Sequence, residues 1–145
     1  QLQFARNFTS FASSAEHNDL IKELLAGKLA GLKVDADLRW TFVIALSERG
    51  LMDKESLAAE LLKDNTLTGQ LSHATALAAM PTAEAKAETW KSITTEEITT
   101  SLREAKLAGF MRALHRPLLA AYVDPYFDLL LETWGKKSYE VASSL

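Results

Sequence analysis

The sequence predicts an all-α protein, an irregular α-α superhelix of about nine short helices stacked as antiparallel pairs. Composition is the first reason. The 145 residues include 22 Ala and 24 Leu against four Val and four Ile; Ala and Leu head the helix scale, and the β-branched residues that favour strands are scarce. Punctuation is the second: six Gly and three Pro fall where the apolar pattern starts or stops a helix. The third is period, with apolar residues recurring three and four apart and connections of only a few residues.

The first helix reads from Gln1 to Ala15, with Leu2, Phe4, Ala5, Phe8, Phe11 and Ala12 on its apolar face. The second runs from Asn18 to Ala26 and stops at Gly27. A loop through Gly31 leads to Asp35-Ala-Asp37, acids suited to the N-cap and positive end of a third helix. That helix ends at Arg49-Gly50 and is apolar around most of its circumference, the pattern of a central element. Asp53 caps a fourth helix whose buried stripe is predicted as Leu57, Ala58, Leu61 and Leu62. A fifth, Ala-rich helix opens at Asn65 or Thr66 and ends before Pro81.

Pro81-Thr82 opens a sixth helix, through Trp90 to about Ile93. Thr94-Thr-Glu-Glu97 has capping-box spacing and predicts the start of a seventh, carried by Ile98, Leu102, Ala105 and Ala108 to Gly109. Pro117 begins an eighth reaching Tyr122. Asp124-Pro125 restarts the chain as N-cap acid and N1 proline of a ninth, Tyr126 to Trp134, stopped by Gly135. No linker or low-complexity segment interrupts residues 1–145, which read as a single helical domain. Gln1 already falls inside the expected first helix without a cap, so the chain reads as part of a longer polypeptide, with a processed N-terminus as the alternative.

The chemistry is sparse. A formal charge of −3 with dispersed Lys and Arg gives no nucleic-acid footprint, and no apolar run approaches the ~18 residues of a membrane span. Without cysteine there is no disulfide framework and no thiolate site. His17, His73 and His115 stand apart, and no H-E-x-x-H places two zinc ligands on one helical face. No G-x-S-x-G elbow holds a serine on a strained turn. Asp35 and Asp37 could form an acid/base pair but sit where caps belong. Trp40, Trp90 and Trp134 lie among apolar neighbours, as core residues do. The cations Arg39, Arg103, Lys106, Arg112 and Arg116 form either a solvated face or a set presented from the concave side of the superhelix to a carboxylate.

Several strings in fixed order add to this reading: Asp35-x-Asp37-Leu38-Arg39-Trp40, Pro81-Thr82-Ala83-Glu84-Ala85-Lys86 followed by Trp90, Gly109-Phe110, and Tyr122-Val123-x-x-Tyr126-Phe127 with Trp134 beyond. Together they resemble the C-terminal helical domain of aminopeptidase N, of the zinc-dependent gluzincin family, most closely its actinobacterial type. The resemblance implies HEAT-like helix pairs that close over a catalytic domain of the same polypeptide and enclose a chamber for peptides. It implies zinc in the parent enzyme, no cofactor in this chain, and a cytoplasmic location. The family's zinc-binding H-E-x-x-H and its G-A-M-E-N string are both absent here, so no catalytic or metal residue carries over.

The expected function is therefore a non-catalytic wall of an aminopeptidase chamber, inactive alone, with Arg39, Arg103 and Lys106 as candidate contacts to the distal part of a peptide. For Arg39 a structural role beside Asp35 and Asp37 competes. The alternative is a stand-alone α-α scaffold binding a protein partner in its groove.

Overall fold

A computed structural model of the chain describes residues 2–112, 114 and 116–136, with side chains for 3–112, 114 and 116–131. His115, the Trp134 side chain and the stretch from Ser138 to Leu145 lie outside what is described. Among the described residues every regular element is helical: α1 (Leu2–Phe11), α2 (Ala15–Leu25), α3 (Ala36–Glu48), α4 (Lys54–Lys63), α5 (Leu67–Ala79), α6 (Ala83–Thr95), α7 (Thr100–Phe110), α8 (Arg116–Leu119), a 3-10 turn (Ala120–Tyr122) and α9 (Val123–Lys136).

The helices form two layers. In one, α1 packs on α3, α3 on α5 and α5 on α7; α2, α4 and α6 flank that row against α3, α5 and α7. This is the expected α-α superhelix. Its core falls into successive clusters. Ala5, Ala12, Ile21, Leu24, Leu38, Phe42 and Leu46 join α1, α2 and α3, and Trp40, Val43, Leu57 and Ala76 join α3, α4 and α5. The central place predicted for α3 holds, since eight of its residues, from Leu38 to Glu48, are buried.

Local chemistry explains most helix starts. Asp35, Asp53, Thr66, Thr82 and Thr99 each accept a hydrogen bond from the backbone N–H three residues on, satisfying one of the four donors left over at a helix start. Gly27 and Gly50, at φ 72° and 70°, follow α2 and α3 in the left-handed conformation that ends helices.

Five expectations are corrected. The first helix ends at Phe11 rather than Ala15, and the second begins at Ala15, because Ser14 caps it. There His17 replaces the usual Glu of a capping box: Ser14 Oγ accepts from the His17 N–H, and His17 Nδ1 accepts from the Ser14 N–H. In α4, Ala58 and Leu62 face outward, and Glu60 takes the buried position beside Leu57. Thr94 and Thr95 close α6 instead of capping α7; their hydroxyls donate back to the Trp90 and Lys91 carbonyls, and Thr99 is the cap. Gly109 lies inside α7 and ends nothing. Finally, α8, the 3-10 turn and α9 run on without a break, so Pro125 is the third residue of α9 and Gly135 lies within it. A proline fits there because first-turn N–H groups have no intrahelical partner.

Candidate functional site

Among the described elements α5 and α7 pack closely together. Small residues allow it: a Cβ added to Gly109 would lie 2.2 Å from the Thr75 carbonyl oxygen and 2.8 Å from Ala78 Cβ. The Thr75 hydroxyl donates to the Ala105 carbonyl at 2.9 Å. Residues 75 and 105, then 78 and 109, meet in the same sequence direction, so the two helices run parallel and their C-termini lie side by side.

Lys86, the fourth residue of α6, enters that junction and is fully buried. Its Nζ donates to the carbonyls of Ala78 at 2.7 Å, Phe110 at 3.2 Å and Gly109 at 3.5 Å, and lies 5.6 Å from the centroid of the Phe110 ring. These carbonyls belong to the last turns of α5 and α7, where intrahelical donors run out and the helix dipoles are negative. Burial pulls the lysine down from the ordinary 10.5 to about 8, against an opposing pull from the Glu48 carboxylate. Glu48, at the buried end of α3, is also 3.5 Å from Arg112.

Next to this junction the Phe110, Trp90 and Tyr122 rings form a triangle, with centroids 5.1, 5.3 and 6.0 Å apart. They line a pocket of about 410 Å³ between α6 and α7 on one side and α8 and α9 on the other, extended by Leu107, Leu119, Tyr126 and Phe127. Among the described residues Arg103 is the one charged side chain in its lining. Leu114, Val123, Phe127 and Leu131 leave an apolar surface exposed nearby.

The expected contact residues divide. Arg103 and Lys106, one turn apart on α7, both reach the end of α6: Arg103 donates to the Ile93 carbonyl, and Lys106 to the Ser92 hydroxyl. Ser92 in turn donates to Glu96 at 2.6 Å. Arg39 lies elsewhere, at the meeting of α2, α3 and α4. It donates from Nη2 to Glu60 Oε1 at 2.8 Å, from Nε to the other carboxylate oxygen, and from Nη1 to the Leu25 carbonyl at 3.1 Å. Its structural partner is thus Glu60; Asp35 caps α3, as expected, through the Leu38 N–H. Lys63 completes the cluster at 2.7 Å from Glu60. Burial pushes the Glu60 carboxyl up, but the hydrogen bonds from Arg39 and Lys63 prevail and hold it below the usual range. Arg112 is engaged with Glu48, and Arg116 is exposed.

Of the tryptophans described, Trp40 behaves as the core residue expected and Trp90 only in part. Trp40 is buried and donates to Asp64 at 2.9 Å, with the His73 ring 6.4 Å away edge-on; Trp90 is half-buried in the pocket wall. Burial lowers the His73 pKa. Among the described residues no group of three His, Asp or Glu side chains could hold a metal ion. The zinc implied by the resemblance therefore finds no ligand set there. No described helix is long and apolar enough to cross a membrane.

Lys86 and the aromatic triangle are not among the residues that the sequence pattern singles out as a site. A signal existed: Lys86, Thr89 and Ile93 share one helical stripe, and the stripe is buried. A lysine on such a face must find partners inside the protein.

Compared with known proteins, the whole chain, residues 1–145, matches the model of the ERAP1-like C-terminal domain. It is 40% identical over 148 residues to aminopeptidase N of Streptomyces lividans. That alignment takes in 100% of this chain but 17% of the relative's length, at the relative's C-terminal end.

Proposed function

From the fact that the chain belongs to the ERAP1-like C-terminal domain family, we propose that it serves as the C-terminal domain of a larger, zinc-dependent aminopeptidase N that removes N-terminal residues from peptides. The match over the full chain carries this reading. In it, the catalytic domain and its zinc belong to the rest of the polypeptide, and this domain closes over them in the cytoplasm. It walls a chamber, limits which peptides enter, and offers side chains to their distal part.

The chain's own geometry supports a wall rather than a catalyst. Many of its described polar side chains are engaged on caps, helix ends and ion pairs, as with Arg39 on Glu60 and Lys106 on Ser92. Among the three proposed peptide contacts, Arg103 has the most support, since it lines an otherwise apolar pocket. A guanidinium there can pair with a carboxylate while the surrounding rings take apolar groups. Arg39 and Lys106 are secondary contacts: like Arg103 they are engaged within the fold, but they do not line this pocket.

The test is release of product from an aminoacyl chromogenic substrate, assayed with the polypeptide that carries this domain and with the 145-residue chain. Zinc-dependent turnover by the first and none by the second is expected. Turnover by the chain alone overturns the reading.

A further inference from the structure

We propose that Lys86 is a charge-operated lock on the joint between the α5–α7 stack and the α8–α9 arm: the ammonium holds the end of α7 in place, and its neutralisation loosens Phe110 and the aromatic pocket behind it.

The argument starts from hydrogen-bond capacity. An ammonium has three N–H donors, and Lys86 directs them at three carbonyls from two helix ends, Ala78 of α5 and Gly109 and Phe110 of α7. These helices are parallel and in close contact, so their C-terminal dipoles point at the same spot and both favour a cation there. A neutral amine keeps two N–H donors and loses the attraction to both helix ends and to the Phe110 ring. The weakest-held part should give first. Ala78 sits between two packed helices, whereas Phe110 is the last residue of α7 and the chain leaves the stack immediately after it.

Phe110 links the lock to the pocket. Its backbone and its ring both meet Lys86, and the same ring packs edge-on against Tyr122, in the 3-10 turn that leads into α9. Trp90 touches both rings. A shift of Phe110 is therefore felt by Trp90 and by the base of the α9 arm.

The charged groups around Lys86 can be named. Glu48 faces it from α3 and is shared with Arg112, just beyond α7. From α5 and α7 it meets carbonyl oxygens and the Phe110 ring. With its pKa lowered to about 8, Lys86 changes state in mildly alkaline solution.

Fluorine NMR of the full chain, grown with 5-fluorotryptophan at all three Trp positions, reads this directly. The Trp90 resonance, assigned by Trp90→Phe, should titrate between pH 6.5 and 9.5 with a midpoint near 8. The Trp40 resonance, in the other cluster beside His73, should stay flat through that midpoint. Lys86→Arg should fix the Trp90 signal at its acidic position, and Lys86→Met at its alkaline one. In unsubstituted chain, carbon NMR of the ten lysine Cε atoms should show one titrating near 8, so the test does not depend on either variant folding. A flat wild-type Trp90 resonance, no lysine titrating near 8, or a Trp90 titration that survives in Lys86→Met overturns the proposal.

Discussion

Arg39 on α3 grips both carboxylate oxygens of Glu60 on α4 while its third nitrogen caps the end of α2 at Leu25. One side chain thus ties three helices together. Removing it leaves a mostly buried carboxylate with Lys63 as its remaining partner. Because the guanidinium is about one-third exposed, the cost falls below that of a fully buried pair. Arg39→Ala should lower stability by about 2 kcal/mol in urea unfolding at neutral pH.

The same pair predicts an acid limb. The native pKa of Glu60 is depressed, so its contribution is full above the ordinary value of 4.5 and fades as pH falls through the lower native value. Stabilities of wild type and Arg39→Ala should therefore converge in acid. Curves that stay parallel down to low pH would remove Glu60 from the account.

Lys86 predicts the opposite limb. Its native value, about 8, lies below the ordinary 10.5, so above pH 8 the unfolded chain holds a proton the native one has lost. Global stability from this group should rise with pH between about 8 and 10.5, by up to ~3 kcal/mol. The rise should vanish in Lys86→Met. Local loosening at Phe110 comes from the attraction lost at the two helix ends, whereas the global gain comes from relief of a desolvated charge.

Gly109→Ala tests the α5–α7 contact. On helix propensity alone the change would gain up to ~1 kcal/mol. The new methyl group would instead lie 2.2 Å from a backbone oxygen of α5, so the helices must part. A net loss of about 2–3 kcal/mol in urea unfolding is expected.

The α2 cap can be checked by chemistry as well as by deletion. Ser14→Ala should cost about 1 kcal/mol. His17→Glu puts the usual capping-box residue in place and should leave the thermal midpoint nearly unchanged, whereas His17→Ala should lower it.

Helix content and most starts were legible because they are local: Asp35, Asp53 and Thr82 announce themselves by position, and Gly27 and Gly50 by the conformation they permit. The α1–α2 break was hidden because His17 fills a role normally read from Glu or Gln. Thr94 misled because the spacing to Glu97 fits a capping box, but the hydroxyl bonds backward into α6. Ion-pair partners lie further beyond local reading. Glu60 is 21 residues from Arg39, and Lys86 meets α7 carbonyls 23 and 24 residues away. Side chains such as these look solvated in sequence and become internal only through the stacking of layers.

Substrate length shows whether this domain walls a peptidase chamber. The measurement is the ratio of kcat/KM for a long peptide to that for an aminoacyl chromogenic substrate, in the parent enzyme with and without residues 1–145. The shortened enzyme should still turn over the chromogenic substrate and lose its discrimination by length. Discrimination unchanged after removal of the domain would contradict the role of a wall.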